Sequence, residues 1–397
     1  MLKQNTHTIY LLEQPNPHVL DWGLSGQGKT YFAIQTIAND HKNHRKIGVI
    51  DYSGSYTESE LKKADFEYCD EVSTLNPAIT SVKFISNACT EDLFIQESKD
   101  VLVKTLNVNS YNQSSLLFLA LVYIKEHSDD NVLSWSIPKL IKALTALKKL
   151  MEYDEQSPDL LPNIDRLLTR LVKYENLFNF HVALKSNESI GHNERITIFQ
   201  LSDLPEDHRF FLTVLLSELL WLETKRGKES TNFYNTIVYD EFHFLSVKRG
   251  SALSHFIREG RKYGVRIILS TQFISHYTEE EQETLLQAGN ILIFKPTPRD
   301  LHFSAKVIDF NAPTAWKKIL SKLPIGSAVL VGHYCINNGT KTLTKPIICK
   351  IIKEETKDAE ELSRCIDSSR SCKSTERKST VRIFHPSPRR TASQKSR

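Results

Sequence analysis

Short, almost continuously apolar runs punctuate the chain. Pro17-His18-Val19-Leu20, Ile47–Ile50, Ile196–Leu201, Thr236–Tyr239 and Val265–Leu269 come first, then Ile291–Phe294, then a late pair, Ala328–Val331 and Pro346–Cys349. Runs this short, without polar alternation, are the pattern of strands buried on both faces of a parallel sheet. Between several of them apolar residues recur at helical spacing, as in Phe210–Thr224. Strands alternating with helices predict an α/β fold, a mainly parallel sheet covered by helices.

The alternation breaks once, between the second and third runs. From about Glu91 to Leu184 the patterns are helical, as in Lys139–Leu147, and the acidic, proline-containing stretch 154–159 divides them. This reads as an all-helical insertion. From about Ser363 the chain turns to Ser, Arg and Lys with few apolar residues. Such a segment buries too little surface to offset its ordering entropy, so a disordered basic C-terminal tail is expected. The expected organisation is 1–90 as the first part of the core, 91–184 as the insertion, 185–352 as the rest of the core and 353–397 as the tail.

The chain has 397 residues, 40% hydrophobic and 25% charged, which excludes a wholly disordered, collagen-like or coiled-coil protein. The longest apolar run, Leu116–Ile124, is far short of the roughly 18 to 20 residues that span a bilayer. The first residues lack the apolar stretch of a signal peptide. Six cysteines include no CxxC pair. Reduced thiols and a cytoplasmic location without an integral membrane segment are therefore the expectation. The net charge of +4 misleads: residues 364–397 hold ten basic and two acidic residues, and the other 363 hold 41 and 45.

Chemistry enters after the first run. Gly23-Leu24-Ser25-Gly26-Gln27-Gly28-Lys29-Thr30 fits G-x-x-x-x-G-K-[ST], with a strand before it and a helical pattern after it. Glycines let successive backbone N–H groups converge on phosphate oxygens, and the helix N-terminus adds its positive dipole end. Gly23, Ser25, Gly26, Gln27, Gly28, Lys29, Thr30 and Tyr31 form the candidate set that cradles ATP. Lys29 would neutralise β/γ-phosphate charge and the Thr30 hydroxyl would bind Mg²⁺. Asp21-Trp22, just before the loop, departs from the small or apolar residues usual there.

Thr236–Tyr239 ends in two carboxylates, Asp240 and Glu241. At a strand's carboxyl end both would point toward the phosphate loop of a neighbouring strand. Asp240 is expected in the Mg²⁺ shell and Glu241 as the base that orients and deprotonates the attacking water. The next strand ends in Thr271-Gln272, which makes the Gln272 amide a candidate sensor of γ-phosphate and water. His41 and His44 lack acidic or Cys partners at zinc spacing and read as a solvated loop.

One string is more specific. Asp240-Glu241-Phe242-His243, a helix, Arg258-Glu259-Gly260-Arg261-Lys262-Tyr263-Gly264, a strand and Thr271-Gln272 resemble the HerA/FtsK/VirB4 group of RecA-like P-loop motor ATPases, above all its HerA-like and VirB4-like branches. Ile50-Asp51-Tyr52-Ser53-Gly54-Ser55-Tyr56 resembles that group's D-P-x-G-E-Y, with Ser55 in place of the usual Glu. Leu323-Pro324-Ile325-Gly326-Ser327-Ala328 resembles its LP-x-G-x-A turn. The resemblance covers roughly residues 8–352. It implies a RecA-like NTPase fold, a hexameric ring and passage of double-stranded DNA, with a nuclease or other effector as partner in DNA processing or anti-phage defence. The alternatives are a VirB4-like ATPase powering conjugation or secretion, and a nucleotide-gated assembly subunit that moves nothing. Full-length HerA proteins usually carry an N-terminal β-barrel, which this chain is expected to lack. Hydrolysis in this class draws an arginine from a neighbouring subunit. Arg258 and Arg261 are the first candidates and Arg299 the third, and a head-to-tail contact of that kind closes into a ring.

Overall fold

The apolar runs of the core become strands of one large sheet. In chain order, the first half of the computed structural model gives β1 (Thr6–Leu12), β2 (Val19–Trp22), α1 (Lys29–Lys42), β3 (Ile47–Asp51), α2 (Glu58–Lys63), β4 (Val72–Leu75), β5 (Val82–Ser86), α3 (Glu91–Thr105), α4 (Tyr111–Glu126), β6 (Ser134–Trp135), α5 (Ile137–Tyr153), α6 (Leu161–Val172) and β7 (Phe180–Leu184). The second half gives β8 (Ile196–Gln200), α7 (Glu206–Arg226), β9 (Thr236–Tyr239), α8 (Ala252–Glu259), β10 (Arg266–Thr271), α9 (Glu279–Leu285), β11 (Asn290–Ile293), α10 (Leu301–Ile308), α11 (Pro313–Leu320), β12 (Ser327–Gly332), β13 (Tyr334–Ile336), β14 (Ile347–Lys350) and β15 (Lys378–Phe384). The structure describes residues 6–12, 15–63, 72–128, 132–153, 160–185, 195–336, 342–351 and 378–384.

The main sheet has nine strands in the order β14-β12-β11-β2-β10-β9-β3-β8-β4. Pairings from β11 to β4 are parallel, and β11–β12 and β12–β14 are antiparallel. One expectation is corrected. The strand bearing Asp240 and Glu241 is not the neighbour of the phosphate-loop strand, because β10 runs between them. The end of β10 therefore lies between the two halves of the site.

Alternation splits each buried strand between two cores. Val19, Ile47, Val49, Val238 and Ile268 meet Phe32, Ala33, Ile34 and Ile37 of α1 on one face. Leu20, Trp22, Ile237, Tyr239 and Leu269 meet Leu212, Leu216 and Leu220 of α7 and Phe256 of α8 on the other. Helix α7 is buried around most of its circumference because α3 of the insertion packs on its outer side. Its two inward acids are partnered there: Lys104 Nζ lies 2.8 Å from Glu218 and Asn87 Nδ2 donates to Glu223 at 2.9 Å.

Two elements differ from the sequence expectation. The insertion keeps its helices α3 to α6, but a three-stranded sheet, β5-β7-β6, closes it and begins before residue 91. The run Val82-Lys83-Phe84-Ile85-Ser86 alternates in burial, the mark of a strand too short to stand out among helices. Inside the 353–397 segment, β15 pairs antiparallel along the whole of β1, from Thr6↔Phe384 to Leu12↔Lys378. Thr380, Val381, Ile383 and Phe384 are strand-forming types, a local signal lost when composition is averaged over the tail. The rest of that segment lies outside the described residues.

Candidate active site

The phosphate loop connects β2 to α1 and is fixed from three sides. Gly23 N donates to Thr271 O at 3.3 Å, Leu24 N to Lys295 O at 2.9 Å, and Gly326 N to Gln27 O at 3.0 Å. The last bond docks the Leu323–Gly326 turn against the loop. Gly23 has φ +151°, and a Cβ there would stand 2.6 Å from Phe294 Cβ. Gly28 caps α1 with φ +105°, a left-handed conformation that glycine adopts without strain. The first turn of α1 contains no acidic residue, so the helix itself sets no like charge against an anion at its N-terminus. Ser25 is exposed, while Gln27, Thr30 and Tyr31 are half-buried.

Lys29 is buried and its ammonium donates to the loop's own carbonyls, Gly23 O at 2.9 Å and Leu24 O at 3.1 Å. Asp21 lies beneath the loop, fully buried, and accepts from Ser270 Oγ at 2.7 Å. Burial pushes its carboxyl up to about 7, against the pull of the Ser270 bond and the Lys29 charge.

The second half of the site is the end of β9. Asp240 is buried and accepts a hydrogen bond from Ser53 Oγ, which lies 2.6 Å from Ser55 Oγ. Burial raises the Asp240 carboxyl to about 7, the Ser53 bond opposes this, and the charges of Asp51, Glu241 and Asp21 add to it. Asp51 shapes the loop that presents Ser53. Its carboxylate accepts from the backbone N–H of Gly54 (2.8 Å), Ser55 (3.0 Å) and Tyr56 (3.1 Å).

Glu241 stands in the left-handed region, φ +50° and ψ 48°, where it opens a short 3-10 turn, Phe242–Phe244. Its carboxylate is hydrogen-bonded at one oxygen and faces a histidine ring at the other. Gln272 Nε2 donates to Oε1 at 2.8 Å, and His243 Nδ1 lies 3.1 Å from Oε2. Burial alone would raise this carboxyl, but His243, Gln272 and the Lys29 charge outweigh burial and hold it below its ordinary value. A low value keeps the group ionised and able to accept a proton.

The residues expected to act together on one nucleotide, Lys29, Asp240, Glu241 and Gln272, come together at the carboxyl ends of β2, β9 and β10. Arg258 and Arg261 do not join them. Arg258 Nη2 donates to Thr284 Oγ1 at 2.9 Å and Arg261 Nη1 to Pro15 O at 3.1 Å. Both precede β10, whose six residues span roughly 20 Å, so they lie at the other end of the sheet. There Arg261 lines a cleft of about 520 Å³ with Arg45, Lys262 and Arg266. Arg45 and Arg266 converge on buried Asp40, which also accepts from Thr236 Oγ1 at 2.6 Å. His18, buried nearby, is pushed down to about 4 by burial and by the charges of Arg261 and Arg266, so it stays neutral. Arg299 is exposed on the loop after β11, at the phosphate-loop end.

Sequence reasoning assigned no part to Ser53 or His243. The signal for Ser53 is compositional: Asp51-Tyr52-Ser53-Gly54-Ser55 is a turn-forming sequence that places a hydroxyl beside the strand ends. His243 has no local signal, because its position against Glu241 depends on the 3-10 turn.

A triphosphate fits this constellation. The loop offers backbone N–H groups and an ammonium, and at Gly26 it borders open space. Mg²⁺ fits as well, since the Thr30 hydroxyl and the Asp240 carboxylate are hard oxygen donors. Among the described residues no cluster of three or more His, Cys, Asp or Glu could hold a metal.

No protein-family model matches the sequence, and no curated protein does. Solved structures do. VirB4 of Thermoanaerobacter pseudethanolicus superposes with a TM-score of 0.57 over 88% of this chain and 91% of that one, at 17% identity. The bacterial conjugative coupling protein TrwB gives a TM-score of 0.56 over 85% of both chains at 14% identity. TrwB bound to the non-hydrolysable ATP analogue ADPNP gives 0.57 over 85% and 86% at 12% identity. The chain has the RecA-like P-loop fold that VirB4 and TrwB share. Among the described residues no helix is long and apolar enough to cross a membrane.

Proposed function

We propose that the chain is an ATP-hydrolysing motor subunit that assembles head to tail into a homo-hexameric ring and moves double-stranded DNA. The observation that carries this reading is the placement of Glu241, hydrogen-bonded by Gln272 and beside His243, between the Asp240 carboxylate and the β10 end that touches the phosphate loop. A site built only to hold nucleotide needs no ionised carboxylate there, which disfavours a passive assembly switch.

In this reading the loop N–H groups and Lys29 bind the β- and γ-phosphates, and Thr30 and Asp240 hold Mg²⁺. The bound ion supplies neutralisation of phosphate charge. Glu241 orients the attacking water and takes its proton, and Gln272 keeps the carboxylate aimed. The transferring phosphoryl group also needs a positive partner. Neither Arg258 nor Arg261 reaches the loop of its own chain. The basic cleft around Arg261 would supply that charge to a neighbouring protomer's site, a head-to-tail contact of the kind that closes into a ring. The HerA-like form, with a nuclease or other effector in DNA processing or defence, rests on the motif string. The VirB4-like form, powering conjugation or secretion, is supported by the superposition with VirB4. Particles imaged by electron microscopy with Mg-ATP and duplex DNA should be closed six-membered rings. Single subunits under those conditions would rule the ring out.

A further inference from the structure

Tyr52 links the surroundings of the site's two acids. It is buried on the loop after β3, the strand beside β9. Where the D-P-x-G-E-Y pattern has proline, this chain places an aromatic ring. The next residue, Ser53, donates to Asp240, and the backbone N–H groups of Gly54, Ser55 and Tyr56 bond the Asp51 carboxylate. The ring itself packs in two other directions. The Arg209 guanidinium of α7 lies over it, 5.0 Å from its centre, and Arg209 Nη1 donates to Tyr52 O at 3.4 Å. Phe244 stacks on the ring with centres 4.9 Å apart and planes 29° apart. Phe244 in turn lies 3.8 Å, centre to centre, from His243, whose Nδ1 is 3.1 Å from Glu241 Oε2.

A column of packed groups, Arg209, Tyr52, Phe244 and His243, therefore runs from α7 to the Glu241 carboxylate. Its second member is the chain neighbour of the hydroxyl on Asp240. Aromatic and cation–aromatic contacts fix distance and tilt as well as burying area. A brace of this kind matters here because Glu241 has φ +50°, which a non-glycine residue keeps only where its surroundings over-determine it. Tyr277 Oη bonds the backbone of the turn that follows, at Phe242 O (3.0 Å) and Leu245 O (3.2 Å). The Tyr52 ring holds the side chain at the end of that turn, Phe244. The Tyr52 hydroxyl is buried and makes no hydrogen bond among the described residues, so the ring and not the hydroxyl carries the contact.

We propose that Tyr52 is a positioning residue for hydrolysis. Its ring, packed on Arg209 and Phe244, fixes Ser53 on Asp240 and His243 beside Glu241, and so sets how the two carboxylates face one bound nucleotide. The inference rests on the ATPase reading of the site.

The test compares steady-state ATP hydrolysis, binding of a fluorescent ATP analogue and thermal unfolding for the full chain and its variants. In Tyr52→Leu, kcat per analogue-binding site should fall on the order of 10- to 100-fold, while KM and analogue affinity stay within about twofold. Phe244→Leu breaks the same stack from a partly exposed position, where folding tolerates the change, and should slow turnover as far. The double variant should be no slower than either single one, because both remove one contact. Tyr52→Phe, which keeps the ring, should restore the rate. A residue that served folding alone would lower the thermal transition and leave kcat per binding site unchanged, and that result in Tyr52→Leu and Phe244→Leu overturns the proposal. A double variant whose loss is the product of the two single losses overturns it, as does a Tyr52→Phe chain as slow as Tyr52→Leu. A raised KM at unchanged kcat overturns it too, by placing the ring in nucleotide binding. A wild-type chain that binds the analogue and releases no phosphate from ATP removes the ATPase reading itself, and the proposal with it.

Discussion

Gln272 Nε2 donates to Glu241 Oε1 at 2.8 Å, so the end of one strand holds the carboxylate at the end of the next. The bond needs β10 beside β9 in parallel register, with Leu269 opposite Tyr239. It also has a cost in rate if lost, because it helps keep Glu241 ionised against burial.

Gln272→Ala should therefore slow hydrolysis and shift its pH dependence. Without the amide the Glu241 carboxyl rises, and the base form needed for turnover is lost at a higher pH. The acid limb of the kcat profile should move upward, while ATP binding at pH 8 is kept. An unmoved limb would mean that Gln272 does not tune Glu241.

Arg261 lies a sheet's length from the phosphate loop of its own chain, and complementation can test whether it serves a neighbour. Arg261→Ala should bind ATP and fail to turn it over, and Glu241→Gln should do the same. Mixed, the two chains form some interfaces with an intact Glu241 on one side and an intact Arg261 on the other. Phosphate release should then reappear in the mixture. A mixture as inactive as its components would place Arg261 outside the neighbouring site.

Asp21 makes folding stability depend on pH. Its carboxyl is raised from the ordinary 3.8 to about 7 by burial, so the folded chain binds this proton more tightly than the unfolded chain. The stability it contributes is fully present below about pH 4 and is lost as pH rises toward about 7. Asp21→Asn keeps the shape and an acceptor for Ser270 but removes the titration. The Tm of the variant should gain on that of the wild type by a few degrees between pH 5 and pH 8. A constant difference would show that Asp21 is not buried as charged-or-protonated carboxyl.

The phosphate loop is legible in the sequence because it is local: its glycines, lysine and threonine act within eight consecutive residues. Asp240 and Glu241 are legible because an apolar strand ending in two acids follows a phosphate loop in the same chain. What the sequence hides is set by strand order. Nothing in the linear pattern places β10 between β2 and β9, and that order is what brings Gln272 to Glu241 and Thr271 to Gly23. Ser53 reaches Asp240 across 187 positions, a contact that no spacing reveals. The sheet inside the insertion and the strand Lys378–Phe384 were obscured for a different reason. Each is a short strand whose partners, β7 and β1, lie far away in sequence.

The central claim is that Glu241 is the base of an ATP hydrolysis site. Phosphate release from Mg-ATP, measured for the wild-type chain and for Glu241→Gln alongside binding of a fluorescent ATP analogue, tests it most directly. The wild type should turn over, and the variant should bind the analogue equally well while releasing phosphate on the order of 10²- to 10⁴-fold more slowly. Equal phosphate release by the two chains would contradict the claim.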